Sequence, residues 1–443
     1  MSPPSSPALY LFDDARAREW VPFHLTRPAG ELLYGCLLLR QRAERFWGES
    51  CRGHLAGEEL LGFTEPGAPP ALVLGQLDTD EDRILISSRM VPDLDRAPDL
   101  DRAPGKDEAA VREASADASA DASRPRALTL EGEIVGWHVP PGAPNPEIED
   151  LLEPGRGGYE APPDSSIPLV GELLRHPWDL ITGNPERIRR DVPLLFPHSS
   201  AFLPPEAEQI GDDHPISTGR AVVLEPGVVL DVRRGPIRLS DRVRIRSHTR
   251  LEGPVFVGPD STILGGSLGT VTIGERCKIR GEVEDAVVMS FSNKAHDGFL
   301  GHAYLGRWVN LGAMTTNSDL KNNYGSVKVR ATGDTEVDTG LIKLGCLLGD
   351  HVKTGIGTLL NTGTIVGAGT NLFGGVMPAR YVPPFSWGSG HDLSEYRIED
   401  FLETAATVME RRDQELPEEQ RTLLLRAWER TRREREGEAG TEA

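Results

Sequence analysis

The chain has 443 residues, a length that exceeds one compact domain and predicts two or three. Its formal net charge of −20 does not favour nucleic acid or an anionic membrane surface as a partner. The four cysteines form no C-x-x-C pair, so neither a zinc site nor a disulfide framework is indicated, and we expect reduced thiols in the cytoplasm. No apolar run has the length of a signal peptide core or a membrane span.

The first half of the chain has the strand and helix order of an α/β layer. Residues 8–12 predict a buried strand, and apolar residues at helical spacing predict a helix that begins at Pro28. Further strands are predicted over 71–77, 83–88 and 128–139, with helices near Leu169 and through Arg189. Tandem PDLDRA repeats and an acidic low-complexity run predict a disordered insert at about 92–126. We expect this α/β domain over residues 1–200 and a linker over 201–219.

An apolar residue recurs every six positions in the second half of the chain. Six residues suit one side of a triangular coil, because the apolar side chain points inward and a glycine or small polar residue turns the corner. Three sides make a rung of about eighteen residues, which predicts a β-helix over 220–385. The repeat is carried by Leu239, Ile245, Leu251, Val257, Ile263, Ile273, Ile279, Leu305, Leu311, Leu348, Thr354, Leu360, Val366 and Leu372.

Residues 386–443 predict a helical extension. Asp392 and Glu395 have the spacing of a capping box, so we expect a first helix over 392–412. A second helix is expected after Pro417. Both carry apolar stripes that we interpret as packing surfaces.

The residues with chemical potential lie between Ser292 and Lys328. His296 stands inside the repeats, and a polar loop rich in asparagine follows. An imidazole titrates near neutral pH and can accept a proton from a reacting group. The alternatives are a structural histidine on a turn and a polar loop that closes on itself.

Three short segments around His296 resemble a known family. Residues 294–301 read KAHDGFLG, residues 305–306 read LG, and residues 309–313 read VNLGA. They resemble the K-A-G-H-x-x-Y-L-G, I-G and V-N-I-G-A segments of the bacterial bifunctional UDP-N-acetylglucosamine diphosphorylase / glucosamine-1-phosphate N-acetyltransferase family. The chain looks closest to a variant branch of sugar nucleotidyltransferases. The resemblance implies a GT-A-like nucleotidyltransferase domain followed by a left-handed parallel β-helix, assembled as a homotrimer with sites between subunits.

The resemblance also implies roles for individual residues. His296 would be the general base, and Asn310 would contact the sugar. Asn323 and Tyr324 resemble the pair in the loop that grips the sugar phosphate, although the loop before them is longer here. The acetyl-CoA co-substrate would lie against two small residues, Ala313 and Gly374.

Three positions depart from the family pattern. Lys294 lies one residue closer to the histidine, and Phe299 stands where the family has tyrosine. Glu284 falls where a phosphate-binding lysine is expected, and its carboxylate would repel a sugar phosphate. Lys294, Lys321 or Lys328 would then have to bind the phosphate in its place.

The amino-terminal half lacks the glycine-rich G-x-G-T-R-M loop of the classical diphosphorylase. Thr26 and Arg27 could replace it, since a helix amino terminus together with an arginine attracts nucleotide phosphates. Mg²⁺ at Asp13 and Asp14 is possible if this domain is active, but no dedicated metal site is predicted. A scaffold without nucleotidyltransferase activity is the alternative.

The sequence as a whole predicts acetyl transfer from acetyl-CoA to an amino-sugar phosphate or a nucleotide sugar. The alternatives are sugar nucleotidyl transfer alone and a β-helix assembly protein without turnover. The expected partners are small-molecule substrates and other copies of the chain.

Overall fold

The structure is a computed structural model that describes residues 7–95, 124–154, 166–197, 204, 207–332 and 335–439. The chain divides into two compact units. The first holds residues up to 18, 27–32 and 37–175, and the second holds 19–26, 33–36 and 176 onward. Most of the expected disordered insert at about 92–126 lies outside the described residues.

The first unit is built on a six-stranded mixed sheet. Its central strand, Ala8–Phe12, pairs in parallel with Cys51–Leu55 and Arg83–Ser87. Alternate residues of this strand enter apolar clusters on opposite faces, which explains why all five are buried. The unit's strands are Ala8–Phe12, Leu37–Leu38, Cys51–Leu55, Arg83–Ser87, Met90–Pro92, Arg126–Leu130, Glu133–Val139, Ile167–Pro168 and Gly171–Leu173, and its helices are Leu39–Trp47 and Ile148–Leu152.

Three predictions in this unit are wrong. The helix expected from Pro28 is a single 3₁₀ turn, Ala29–Glu31, because Gly35 has a left-handed φ of 64° and the α-helix begins only at Leu39. The strand expected over 71–77 contains a 3₁₀ turn at Leu74–Gln76 and only an isolated bridge at Ala71. The helix expected near Leu169 is replaced by the strand Gly171–Leu173.

The second unit is dominated by the predicted β-helix, whose fold class is confirmed. Its strands pair in parallel with the next rung, and the paired residues are 15 to 21 positions apart where no loop intervenes. The strands are Glu208–Ile210, Ile216–Thr218, Val223–Leu224, Val229–Asp231, Ile237–Leu239, Arg244–Ile245, Thr249–Val257, Thr262–Ile273, Lys278–Glu284, Val287–Val288, Asn293–Lys294, Phe299–Gly301, Tyr304–Leu305, Asn310–Leu311, Thr316–Asn317, Cys346–Leu348, Lys353–Thr354, Leu359–Leu360, Thr364–Val366, Asn371–Leu372, Tyr381–Val382 and Ser386–Ser389.

The periodic residues point into the coil as predicted. Every one of the fourteen hexad positions is buried, and all but Thr354 belong to one continuous apolar cluster. Thr354 is inward as well and pairs its hydroxyl with that of Thr315 at 2.7 Å. Burial of one apolar side chain per side therefore holds the rungs together, at about 1.5–3 kcal/mol for each fully buried side chain.

A column of aromatic residues runs along one corner of the coil and is interrupted only by Gly369, on the rung between His351 and Phe385. Phe291, Trp308, His351 and Phe385 all have left-handed φ values between 57° and 63°. Phe291 and Trp308 stack with their ring centroids 4.2 Å apart. Phe401 packs edge-on against His351 and Phe385, so helix Ile398–Glu410 lies along this corner.

The carboxy-terminal extension is helical but begins later than predicted. Asp392–Glu395 is a strand that pairs antiparallel with Ser386–Ser389, so these two acidic residues do not cap a helix. The turn between the strands contains Gly390 with a φ of 59°. The unit also contains strand Leu33–Tyr34, the hairpin Lys328–Thr332 and Thr335–Asp338, and helices Asp179–Thr182, Asn184–Leu195, Ile398–Glu410, Glu418–Arg430 and Arg432–Ala439. Among the described helices, none combines the length and the apolar character that crossing a bilayer requires.

Candidate active site

The strand register brings three predicted site residues, His296, Ala313 and Gly374, to one corner of the coil. Asn293 pairs with Asn310, and the ladder continues through Lys353 to Asn371. Three residues further along each rung, the same register brings His296, Ala313, Ile356 and Gly374 to one corner. Backbone hydrogen bonds support this stacking. The N–H of Met314 donates to the backbone carbonyl of Asp297 at 3.0 Å, and the N–H of Gly357 donates to the backbone carbonyl of Ala313 at 2.8 Å.

His296 presents its ring to the outside of the coil. The residue is exposed, and its ring nitrogens make no hydrogen bond within the described part of the chain. The neighbouring carboxylate of Asp297 pairs with the guanidinium of Arg280 at 3.0 Å. The imidazole therefore remains available to accept a proton from an incoming group.

Two of the three positions above His296 at this corner, Ala313 and Gly374, carry a small side chain or none. Ala313 is half-buried, and Gly374 is exposed with a φ of 86°. A Cβ at Gly374 would lie 2.3 Å from Oγ of Ser389, so only glycine fits this position without a shift. The small residues leave room for a ligand at these two positions, and the exposed side chain of Ile356 lies between them.

Asn310 belongs to a second, outward-facing column on the adjacent side of the coil. Its side chain is exposed, and the amide of Asn293 approaches its Oδ1 at 3.5 Å. Lys353 and Asn371 follow on the next two rungs. Polar side chains thus line the surface that leads to the histidine corner.

Lys294 faces the interior of the coil. Its residue is 2% exposed, and its ammonium donates to the backbone carbonyls of Arg280 and His296, both at 2.9 Å. Burial lowers the pKa of Lys294 from its ordinary value of 10.5 to about 8. This ammonium does not line the exposed surface beside His296.

The polar loop leaves the coil after Asn317 and returns at Cys346. Tyr324 is 71% exposed, and Asn323 is exposed and accepts a hydrogen bond from the backbone N–H of Gly325. Lys321 donates to the carbonyl of Ser326, and Lys328 begins the hairpin that follows. No described contact joins Asn323 or Tyr324 to His296.

A buried amide and a histidine hold the base of this loop, and the sequence did not reveal them. Asn317 accepts from the N–H of Gly301 and donates to its carbonyl, both at 2.9 Å. Nδ1 of His302 lies 2.8 Å from Asp319, and its Nε2 lies 3.4 Å from Asp285. The hydrogen bond to His302 lowers the pKa of Asp319, whereas burial raises that of Asp285.

The predicted nucleotide-binding residues already have protein partners. Thr26 donates its hydroxyl to Asp350 at 2.7 Å, within the second unit. In the first unit, Arg27 is buried and forms a two-pronged ion pair with Glu65 at 2.8 and 3.2 Å. Because no α-helix begins beside Arg27, a helix dipole does not add to its charge.

The two acidic residues at the end of the first strand are also engaged. Asp14 forms an ion pair with Arg89 at 2.6 Å, and Asp13 accepts from the N–H of Ala29 at 3.0 Å. Among the described residues there is no cluster of three or more histidine, cysteine or acidic side chains that could hold a metal ion. These residues do not fit a preformed Mg²⁺ site.

Residues 9–199 match the family model described as sugar nucleotidyl transferase. The chain is 33% identical over 101 residues to the bifunctional sugar-1-phosphate nucleotidylyltransferase/acetyltransferase of Sulfurisphaera tokodaii, a match that covers 23% of this chain and 25% of that protein. It is 28% identical over 197 residues to the bifunctional protein GlmU of a Synechococcus species, covering 39% and 29% of the two chains. Each match spans less than a third of the relative's length.

Solved structures also resemble the second half of the chain. One is LpxA, a UDP-N-acetylglucosamine acyltransferase from Bacteroides fragilis, with 16% identity, a TM-score of 0.24 and coverage of 44% of this chain and 73% of that one. Another is the polySia-specific acetyltransferase NeuO, with 14% identity, a TM-score of 0.26 and coverage of 46% and 97%.

The chain therefore combines a segment that matches the sugar nucleotidyl transferase family model with a β-helix built on six-residue repeats. The predicted resemblance to the bifunctional sugar-1-phosphate nucleotidylyltransferase/acetyltransferase family is confirmed.

Proposed function

We propose that the β-helix transfers an acetyl group from acetyl-CoA to the amine of an amino-sugar phosphate or nucleotide sugar. The observation that carries this proposal is the column in which an exposed His296 lies one rung below Ala313. The match to bifunctional nucleotidylyltransferase/acetyltransferases supports the same class of substrate. Synthesis of cell-envelope sugar nucleotides in the cytoplasm is the expected setting, and the four buried cysteines, which form no disulfide, are consistent with it.

The proposed reaction needs a base because an amino sugar is largely protonated near neutral pH. The nitrogen lone pair of the neutral amine attacks the thioester carbonyl carbon, the C–S bond breaks, and CoA leaves as a thiolate. His296 accepts the proton that the amine loses as the new C–N bond forms. The thiolate then takes a proton from the imidazolium of His296 and becomes the free thiol. An imidazole suits this role because its pKa is close to the working pH.

The other proposed contacts follow from position. Ala313 and Gly374 would accommodate the acetyl-CoA arm along the corner above the base. Asn310, Asn323 and Tyr324 would bind the sugar, since their side chains are exposed. Lys294 would act only through the backbone carbonyl of His296, to which its ammonium donates.

A homotrimer is part of the proposal. Several large apolar residues around the histidine corner are exposed in the single chain, although side chains of this kind are normally covered. Ile356 in the column itself is 76% exposed. Its neighbours are exposed as well: Met314, Phe373, Val376 and Met377. A second subunit over this corner would cover them and enclose the site.

Replacement of His296 by alanine tests the proposal. Because the ring is exposed and unpartnered, the melting temperature should not change, whereas the rate of CoA thiol release should fall about 10²–10⁴-fold. Acetyl-CoA and glucosamine-1-phosphate, with thiol release as the signal, provide the assay. His391→Ala removes another exposed histidine and should leave the rate unchanged. An unchanged rate in the His296 variant would reject its role as the base, whereas no thiol release by the wild type would favour an assembly protein.

Sugar nucleotidyl transfer is the second proposed function, favoured by the family match over residues 9–199. The ion pair between Arg27 and Glu65 would have to open before Arg27 could bind nucleotide phosphates. Pyrophosphate release from UTP or dTTP with sugar-1-phosphates at several Mg²⁺ concentrations measures this activity. No release with any pair would leave the first unit as a scaffold.

A further inference from the structure

Lys353 holds a positive charge in an unusual setting. Its ammonium nitrogen is buried and has no hydrogen-bond partner among the described residues, although the residue as a whole is only half-buried. Burial alone lowers the pKa of Lys353 from 10.5 to about 8, and no carboxylate offsets that effect. A buried ammonium without a partner costs free energy, and an anion bound at the adjacent surface would remove this cost by drawing the ammonium out of the coil.

The strand register places this charge beside the proposed active site. Lys353 pairs with Asn310 on one side and Asn371 on the other, in the outward column next to the histidine corner. His296 lies on the rung of Asn293, two rungs below Lys353. Neighbouring strands are about 4.8 Å apart, so the two residues are separated by about 10 Å along the coil axis.

The position at which the family would bind the phosphate carries the opposite charge. Glu284 is exposed at the end of its strand and pairs with Gly301 on the next rung. A carboxylate there repels a phosphate, so the cation has to come from elsewhere. Three lysines were candidates from the sequence. Lys294 already donates to two backbone carbonyls inside the coil, Lys321 donates to the carbonyl of Ser326, and Lys328 lies on the hairpin that follows the polar loop.

We propose that Lys353 binds the phosphate group of the acceptor and so selects phosphorylated amino sugars. The proposal rests on the proposed acetyl transfer at His296. With the amine at His296, a phosphate on the same sugar ring lies within reach of a lysine side chain two rungs away. Rotation of its half-buried stem brings the ammonium to the surface beside Asn310, where the anion supplies the missing partner.

Thermal unfolding with inorganic phosphate tests the site without any turnover. Phosphate at millimolar concentration should raise the melting temperature of the wild-type protein and of Lys353→Arg, which keeps the charge. It should not raise that of Lys353→Met, which has a similar volume but no charge. Lys278→Met is the matched control, since Lys278 is an exposed lysine in the same outward column, and it should respond as the wild type does. Equal shifts in wild type and Lys353→Met, or no shift in the wild type, would overturn the proposal.

Kinetics with glucosamine-1-phosphate and glucosamine then test substrate selection. Lys353→Met should raise KM for the phosphorylated sugar about 10–100-fold and leave KM for glucosamine unchanged, since only the former loses an ion pair. An equal effect on both sugars would contradict a phosphate contact. If the wild-type protein releases no thiol, acetyl transfer is rejected, and the phosphate-dependent melting shift still tests whether Lys353 binds phosphate.

Without phosphate, Lys353→Met should melt no lower than the wild type, because it removes an unpaired buried charge.

Discussion

Lys294 shows how the alternation of side chains along a strand decides the role of a residue. Asn293 points outward, so Lys294, the next residue, must point into the coil. There its ammonium reaches two backbone carbonyls and is shielded from water. The K-A-H motif predicted Lys294 as a substrate ligand. A motif match does not show on which face of a two-residue strand a side chain lies.

This burial makes a pH-dependent prediction for Lys294→Met. Since the pKa of Lys294 is about 8 in the folded chain and 10.5 otherwise, the unfolded chain holds more protons between these pH values. Stability contributed by this group therefore rises with pH from about 8 to 10.5. The free energy of unfolding, measured in urea, should therefore increase more in the wild type than in the variant between pH 8 and 10.5. The expected difference is about 1.4 kcal/mol for each unit by which the two pKa values differ. Parallel curves from pH 7 to 10 would show that Lys294 is not buried.

Among the elements, the aromatic corner explains how a helix is attached to a coil. Trp308 is buried between the ring of Phe291 and the helix residue Met409. Trp308→Ala should lower the free energy of unfolding by about 3–5 kcal/mol and increase hydrogen exchange in helix Ile398–Glu410. Trp387→Ala, at an exposed tryptophan, should cost less. If helix exchange does not change in the Trp308 variant, the corner does not hold the helix.

The elements also show what the sequence could and could not predict. The hexads were readable because each buried side chain must be apolar, and this requirement repeats locally. The pairing of Asn310 with Lys353 could not be predicted from the sequence, because a long polar loop separates the two rungs. Asp392 and Glu395 have a spacing that suits both a helix cap and a strand, and pairing with Ser386–Ser389 decided the outcome.

For the whole molecule, the charge of −20 and the exposed apolar corner act in opposite directions on assembly. Like charges keep copies of the chain apart, whereas coverage of the apolar corner favours a specific contact. A closed oligomer resolves this conflict, because it covers the apolar residues without further growth. The expected homotrimer has three times the monomer mass of 48.3 kDa.

Ile356→Glu tests this assembly at the proposed site. In a covered interface the new carboxylate would be buried without a partner, so the variant should dissociate towards the monomer mass of 48.3 kDa, whereas the wild type should have the mass of the expected trimer. Sedimentation or light scattering measures the mass, and thiol release should fall with it if the sites lie between subunits. Val223→Glu places the same charge on an exposed residue of an early rung and should change neither quantity. A monomeric wild type, or a variant with unaltered mass, would show that the apolar corner serves a purpose other than trimer formation.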